Sequence, residues 1–169
     1  MTRLKTLLFA AILFVGTSSL ATAQSKMAHI NTTELVQAMP EMKTAQVEIE
    51  KLTKTYDAQI KEMATELQNK IKQYRSEVDT KTQEENDKRA LEVQEMEQGI
   101  RQFQGQAQQD LAKKEEALLK PIFEKAKAAI QKVANAQGLE YVLDSTQGGG
   151  VLVAKGKDLM ADVKQELGF

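Results

Sequence analysis

Ten apolar side chains recur at helical spacing between Ala45 and Val78, and this stripe restricts the possible folds more than any other feature of the chain. They are Ala45, Ile49, Leu52, Tyr56, Ile60, Met63, Leu67, Ile71, Tyr74 and Val78, separated by steps of three or four residues. Such steps return to one face of an α-helix, because the helix turns once every 3.6 residues. From Ile49 the pattern repeats every eleven residues, through Ile49, Ile60 and Ile71 and through Leu52, Met63 and Tyr74. That period favours a nearly straight or slightly right-handed pairing of helices. The remaining surface is Lys, Glu, Gln and Thr, so a single narrow stripe on a long polar rod requires a second stripe to cover it.

The partner stripe lies further along the same chain, through Val93, Met96, Ile100, Phe103, Ala107, Leu111 and Leu118. Between the two, Asp79 to Ala90 carry no large apolar side chain, and Thr82 and Glu85 have the spacing of a capping box. In that motif a hydroxyl and a carboxylate satisfy the orphan amides at a helix start. The expectation is a turn near Asp79 to Thr82 and an antiparallel helical hairpin, each arm spanning roughly 55 Å at 1.5 Å per residue. The alternative is one unbroken helix in an intermolecular coiled coil, since the intervening residues are good helix formers. Gly99 and Gly105 each weaken the returning helix by about 1 kcal/mol relative to Ala. They either make room for a neighbouring helix or soften the arm, and softness is the preferred reading. Pro121 cannot donate to the carbonyl of Ala117, so a kink is expected there.

The segments flanking the hairpin are short. Met27 to Asn31 suits a strand, and Asn31 or Thr32 caps a turn of helix ending at Pro40, which suits the first turn of the long helix. After the returning arm, Gly138 is placed as a left-handed helix cap. Leu139 to Asp144 and Val151 to Ala154, joined by the glycine-rich Ser145 to Gly150, read as a β-hairpin. Leu159, Val163 and Leu167 lie four apart on a closing amphipathic helix. The fold class is therefore mainly α with a small β part (α+β): a coiled-coil hairpin arm at 41–120 on a small body formed by 24–40 and 121–169. A body of about 65 residues is marginal as a single core, and short strands leave two open edges. Both point to a body assembled from several copies around a symmetry axis.

The N-terminus carries a different kind of signal. Arg3 and Lys5 precede an apolar run from Leu7 to Val15, and Ala21-Thr22-Ala23 follows before Gln24. A basic start, a short apolar core and an A-x-A site make a secretory signal peptide at 1–23, cleaved after Ala23. Export is expected, and with no cysteine in the chain no disulfide holds it together. Removing Arg3 and Lys5 leaves 21 basic residues against 24 acidic ones. That balance argues against nucleic acid as a partner, which takes a dense basic surface to displace phosphate counterions. Mixed charge on the polar faces likewise disfavours a membrane-surface helix.

No catalytic, metal or cofactor constellation is readable. His29 is the single histidine, next to apolar residues on a candidate strand. Gly148 to Gly150 lacks the lysine and the helix of a phosphate cradle, and the acidic runs at Glu84, Glu85, Asp87, Glu115 and Glu116 suit solvated helix faces. An enzyme is not expected. Met63 and Met96 fall on the stripes, whereas Met42, Val47 and Leu91 are better suited to exposed apolar contact.

The stretch Ala129-Ile130-Gln131-Lys132-Val133-Ala134-Asn135-Ala136-Gln137-Gly138-Leu139-Glu140-Tyr141-Val142-Leu143-Asp144 resembles the junction of returning arm and strand in the Skp (OmpH-like) family of periplasmic chaperones. Ile30-Asn31 followed by Glu34-Leu35 resembles that family's first strand and short helix, and Asp158-Leu159 to Leu167 its terminal helix. The resemblance implies a homotrimer in the periplasm whose arms enclose a cavity. It also implies that unfolded outer-membrane proteins are held there without nucleotide, with transient proximity to the membrane. On this reading Ile30, Leu139, Tyr141, Val142, Leu143, Val151 and Val153 build the trimer body, and Met42, Val47, Leu91 and Phe103 contact clients. The rival expectation is a structural coiled-coil scaffold of the envelope. One departure stands out: the best-known members have strongly basic arms, whereas Glu41 to Lys120 holds 14 basic and 17 acidic residues here. Client capture is therefore expected to depend little on salt, and no lipopolysaccharide site is carried over.

Overall fold

The computed structural model describes residues 26–169, so the expected signal peptide and its cleavage after Ala23 lie outside the described residues. The chain runs β1 (Met27–Ile30), α1 (Thr32–Ala38), α2 (Pro40–Glu77), a 3-10 turn (Val78–Thr80), α3 (Gln83–Ala136), β2 (Tyr141–Asp144), β3 (Lys157–Asp158) and α4 (Met160–Leu167). The long helices α2 and α3 pair as an antiparallel hairpin. Contacts between them step outward in order, from Glu41 with Lys125 and Glu48 with Lys114 to Tyr56 with Asp110, Lys70 with Glu92 and Glu77 with Arg89.

Both ends of the hairpin are set by local chemistry. Pro40 occupies the first turn of α2, where its missing N–H leaves no bond unmade. At the far end the Thr82 hydroxyl accepts from the Glu85 amide at 3.2 Å, and the Glu85 carboxylate accepts from the Thr82 amide at 3.1 Å. This is the expected capping box, and it starts α3 at Gln83. The helix continues through Pro121 to Ala136 without a break. It ends where Gly138 takes φ 65° and the Leu139 amide donates back to the Ala134 carbonyl at 3.0 Å. That bond from the residue after the left-handed glycine closes a Schellman cap.

The stripe residues of α2 from Ile49 to Tyr74 are half-buried, as a seam between only two helices must be, and Ala45 and Ala107 are the fully buried positions between the arms. Small side chains there let the helices approach closely. The deep core lies at the base, where Ile30, Leu35, Met39, Leu159 and Val163 are sealed from solvent against Ile122, Ala126, Ala129 and Val133 of α3. At roughly 1.5–3 kcal/mol per fully buried large aliphatic side chain, this cluster rather than the arm anchors the chain.

The sheet departs from the expected β-hairpin. Its order is β2-β1-β3, and β1 pairs in parallel with both neighbours. Val151 and Val153 belong to no strand, and the third strand is the polar pair Lys157–Asp158. The reason lies downstream. Leu159 must enter the core, and its amide donates to the His29 carbonyl at 3.0 Å on the far side of β1 from β2. A tight turn after Asp144 would carry the chain back along the outer edge of β2 and away from that position. Parallel pairing instead needs a connection of about a dozen residues, which Ser145 to Gly156 supply.

Asp144 ties β2 to the start of α1. Its carboxylate accepts from the Thr32 amide at 3.2 Å, the Thr32 hydroxyl at 2.6 Å, the Thr146 amide at 2.9 Å and the Thr146 hydroxyl at 2.7 Å. Partial desolvation pushes its pKa up, but the bonds from Thr146 and Thr32 outweigh it and hold the group at about 2. Because that value is depressed below the ordinary 3.8, the stabilisation is complete above 3.8 and disappears as pH falls through about 2. Asp144→Ala is expected to lower unfolding free energy by about 1 kcal/mol at pH 7, a figure discounted for the exposure of the carboxylate. Urea denaturation at pH 7 is expected to separate variant from wild type, and the two are expected to converge between pH 3.8 and 2.

Candidate functional site

Exposed apolar surface occurs both along the arm and at the base. On the arm, Val47 and Leu91 stand outside the seam with 65% and 55% of their surface exposed. The other two residues expected to contact clients are engaged within the chain. Met42 packs against the base core. Phe103 is half-buried and meets Tyr56 edge to face, ring centres 5.9 Å apart, while the Tyr56 hydroxyl reaches Asp110 at 3.3 Å. Phe103 therefore lies on the arm's own seam, as its place in the stripe predicts.

At the base an open groove of about 560 Å³ runs between α3 and β2, lined by Val36, Phe123, Ala126, Ile130, Leu139 and Val142 among others. Tyr141 forms part of its wall with 62% of its surface exposed. The residues expected to build the body divide into three groups. Ile30 is wholly within the core, and Leu139 and Val142 are partly buried against it. Tyr141 and Leu143 face outward from β2. Val151 is half-buried and Val153 exposed in the connection to β3, with Leu152 between them 98% exposed. The outer edges of β2 and β3 have no strand partner among the described residues.

Sequence reasoning did not single out Phe123 or Leu152. Phe123 is adjacent to the core residue Ile122 and so falls off the buried stripe of α3; an aromatic side chain in that position was the available signal. Leu152 is a large apolar residue in a segment whose neighbours are Gly, Val and Ala. The groove at the base also has a polar lining of Thr32, Glu124, Lys127, Gln131, Asn135 and Glu140. Among the described residues no polar residue is buried as a whole, and no cluster of His, Cys, Asp and Glu could hold a metal ion. His29 has a structural neighbour, its Nδ1 lying 3.4 Å from the Ser145 hydroxyl. No helix among the described residues is long and apolar enough to cross a membrane.

The two glycines of the returning arm can be assigned from their surroundings. A Cβ placed on either Gly99 or Gly105 would meet nothing within 4 Å, so neither makes room for another part of this chain. Gly99→Ala and Gly105→Ala are each expected to raise arm stability by about 0.5–1 kcal/mol, read as a higher urea midpoint of the helical signal.

The fold is similar to that of known proteins. The family described as Outer membrane protein (OmpH-like) matches residues 26–167. A solved OmpH-like structure from Caulobacter crescentus CB15, described as a candidate outer membrane chaperone, is similar with a TM-score of 0.75. The two sequences are 17% identical, and the likeness covers 85% of this chain and 83% of that one, which makes it a likeness of fold. No curated protein matches the chain.

Proposed function

The chain belongs to the OmpH-like family, and from that premise we propose that it is an ATP-independent holdase chaperone of the periplasm. In this reading it binds unfolded outer-membrane proteins in a cavity between helical arms and prevents their aggregation. The arm is 41–120, and the body is 24–40 with 121–169. Three copies join at the body, and the clients are the partners; no catalysis, nucleotide or metal takes part.

The observation that carries the reading is the distribution of apolar surface. The arm is a long paired rod whose flanks present single apolar side chains, Val47 and Leu91, spaced among charges. Weak contacts of this kind, repeated over three arms, retain a disordered chain by their number while each remains easy to break. The base supports the trimer from the other side. An apolar groove with Phe123 and Tyr141 exposed, the uncovered Leu152 and two open sheet edges are features that a single small domain normally covers. Soft glycines at 99 and 105 allow the arms to splay around clients of different size.

Light scattering of the mature chain at micromolar concentration is expected to give three times the chain mass; a folded monomer would sink the cage. In the absence of ATP, the protein is expected to suppress aggregation of a urea-denatured outer-membrane β-barrel protein on dilution, with little change between low and moderate salt. A rod that binds one folded envelope protein and leaves the denatured barrel to aggregate would establish the scaffold instead. Combining Gly99→Ala with Gly105→Ala is expected to narrow the size range of clients held.

A further inference from the structure

The arm is not held together in the same way along its length. From Ala45 to Ile71 the seam is apolar on both helices, but beyond Tyr74 it runs out. The last apolar residue before the turn is Val78, just past α2 and 46% exposed, and on α3 Leu91 faces solvent before the stripe begins at Val93. No apolar side chain is buried between Tyr74 and Leu91.

A compact polar cluster occupies that place. The Glu92 carboxylate accepts from both the Lys70 ammonium and the Tyr74 hydroxyl, and Lys70 also donates to the Tyr74 oxygen at 3.2 Å. About one helical turn further out, the Arg89 guanidinium donates to Glu77 at 2.6 Å and lies 4.6 Å from the centre of the Tyr74 ring. Arg89 is only 17% exposed in its side chain, and its Nη1 is buried without a partner. At the turn, Asn86 donates across to the Val78 carbonyl at 3.0 Å. Every contact except the one from Lys70 to Tyr74 crosses between the two helices or closes the turn. They converge on the single ring of Tyr74, where cation–π attraction adds to the ion pairs. The same contacts keep Glu92 below the usual carboxylate range, through Lys70 first and then Tyr74.

We propose that this cluster is a latch: Lys70, Tyr74, Glu77, Arg89 and Glu92 hold the distal end of the hairpin closed electrostatically, so that the tip opens as a unit separate from the apolar seam below it. Apolar packing is insensitive to salt at moderate concentration, whereas partly exposed ion pairs are screened. The two parts of one arm therefore respond differently to the same change of solvent. A network centred on one shared ring is also cooperative, so removing a single member loosens the others. The latch stands on its own contacts and does not depend on what, if anything, the arm holds.

Amide hydrogen exchange of the mature protein, read by mass spectrometry, tests it. Arg89→Met and Glu92→Gln are each expected to speed exchange between residues 70 and 92 by about tenfold, with residues 45–67 unchanged. In the wild type, 0.5–1 M sodium chloride is expected to speed the same tip peptides, and to have little further effect in Arg89→Met. Reversing the pair with Glu77→Arg and Arg89→Glu together is expected to restore much of the protection that either single change removes. Tip exchange that ignores both salt and Arg89→Met would overturn the latch. So would a rise that spreads equally to residues 45–67, since the arm would then open as one unit. The salt response of the wild type decides the matter even if a variant folds poorly.

Discussion

The apolar seam between α2 and α3 is the contact that brings the segments of the base core and of the sheet back together. β1 and β2 pair in parallel with Met27 opposite Tyr141, yet more than a hundred residues separate them. Closing a flexible loop of that length would cost conformational entropy without return. The hairpin removes most of that cost, because its two ends come back to the same place once the seam has zipped. The arm is thus the crossover connection of the sheet as well as a projection from it. Its stability comes from many half-buried contacts rather than a few deep ones, which is what two helices alone can offer.

The base shows the opposite economy. Five large side chains are sealed there, drawn from β1, α1, the α1–α2 junction, the β3–α4 junction and α4, and they close over the last turns of α3. Once Leu159 and Val163 are committed to that core, the course of the preceding segment follows. β3 must lie on the free side of β1, and the connection from β2 must cross the end of the sheet. Asp144 secures the point of departure by gathering Thr32 and Thr146 around one carboxylate. This arrangement leaves uncovered the groove beside Phe123 and the connection through Leu152.

The charge distribution follows the same division of labour. Acidic and basic residues are mixed along the arm, and several of them are spent between its helices, as in the pairs Glu48 with Lys114 and Glu77 with Arg89. Charges used in this way fix register, which an eleven-residue repeat of similar aliphatic side chains specifies poorly by itself.

How much of this was legible beforehand depended on whether the determining contacts were local. The stripes from Ala45 to Val78 and from Val93 to Leu118, the capping box at Thr82 and Glu85, Pro40 at a helix start, Gly138 at a helix end and the closing helix with Leu159 and Val163 were all readable, because each rests on residues within a few turns of one another. The engagement of Phe103 with Tyr56 was implicit in its place on the stripe, although it was also expected to contact clients. Only the tertiary structure decided the sheet. Val151 to Ala154 have the composition of a strand but no strand partner among the described residues, whereas Lys157 and Asp158 have no strand signal and pair with β1. Strand pairing is a contact between distant segments, and here its direction follows from where Leu159 must be buried. No window of neighbouring residues contains that constraint.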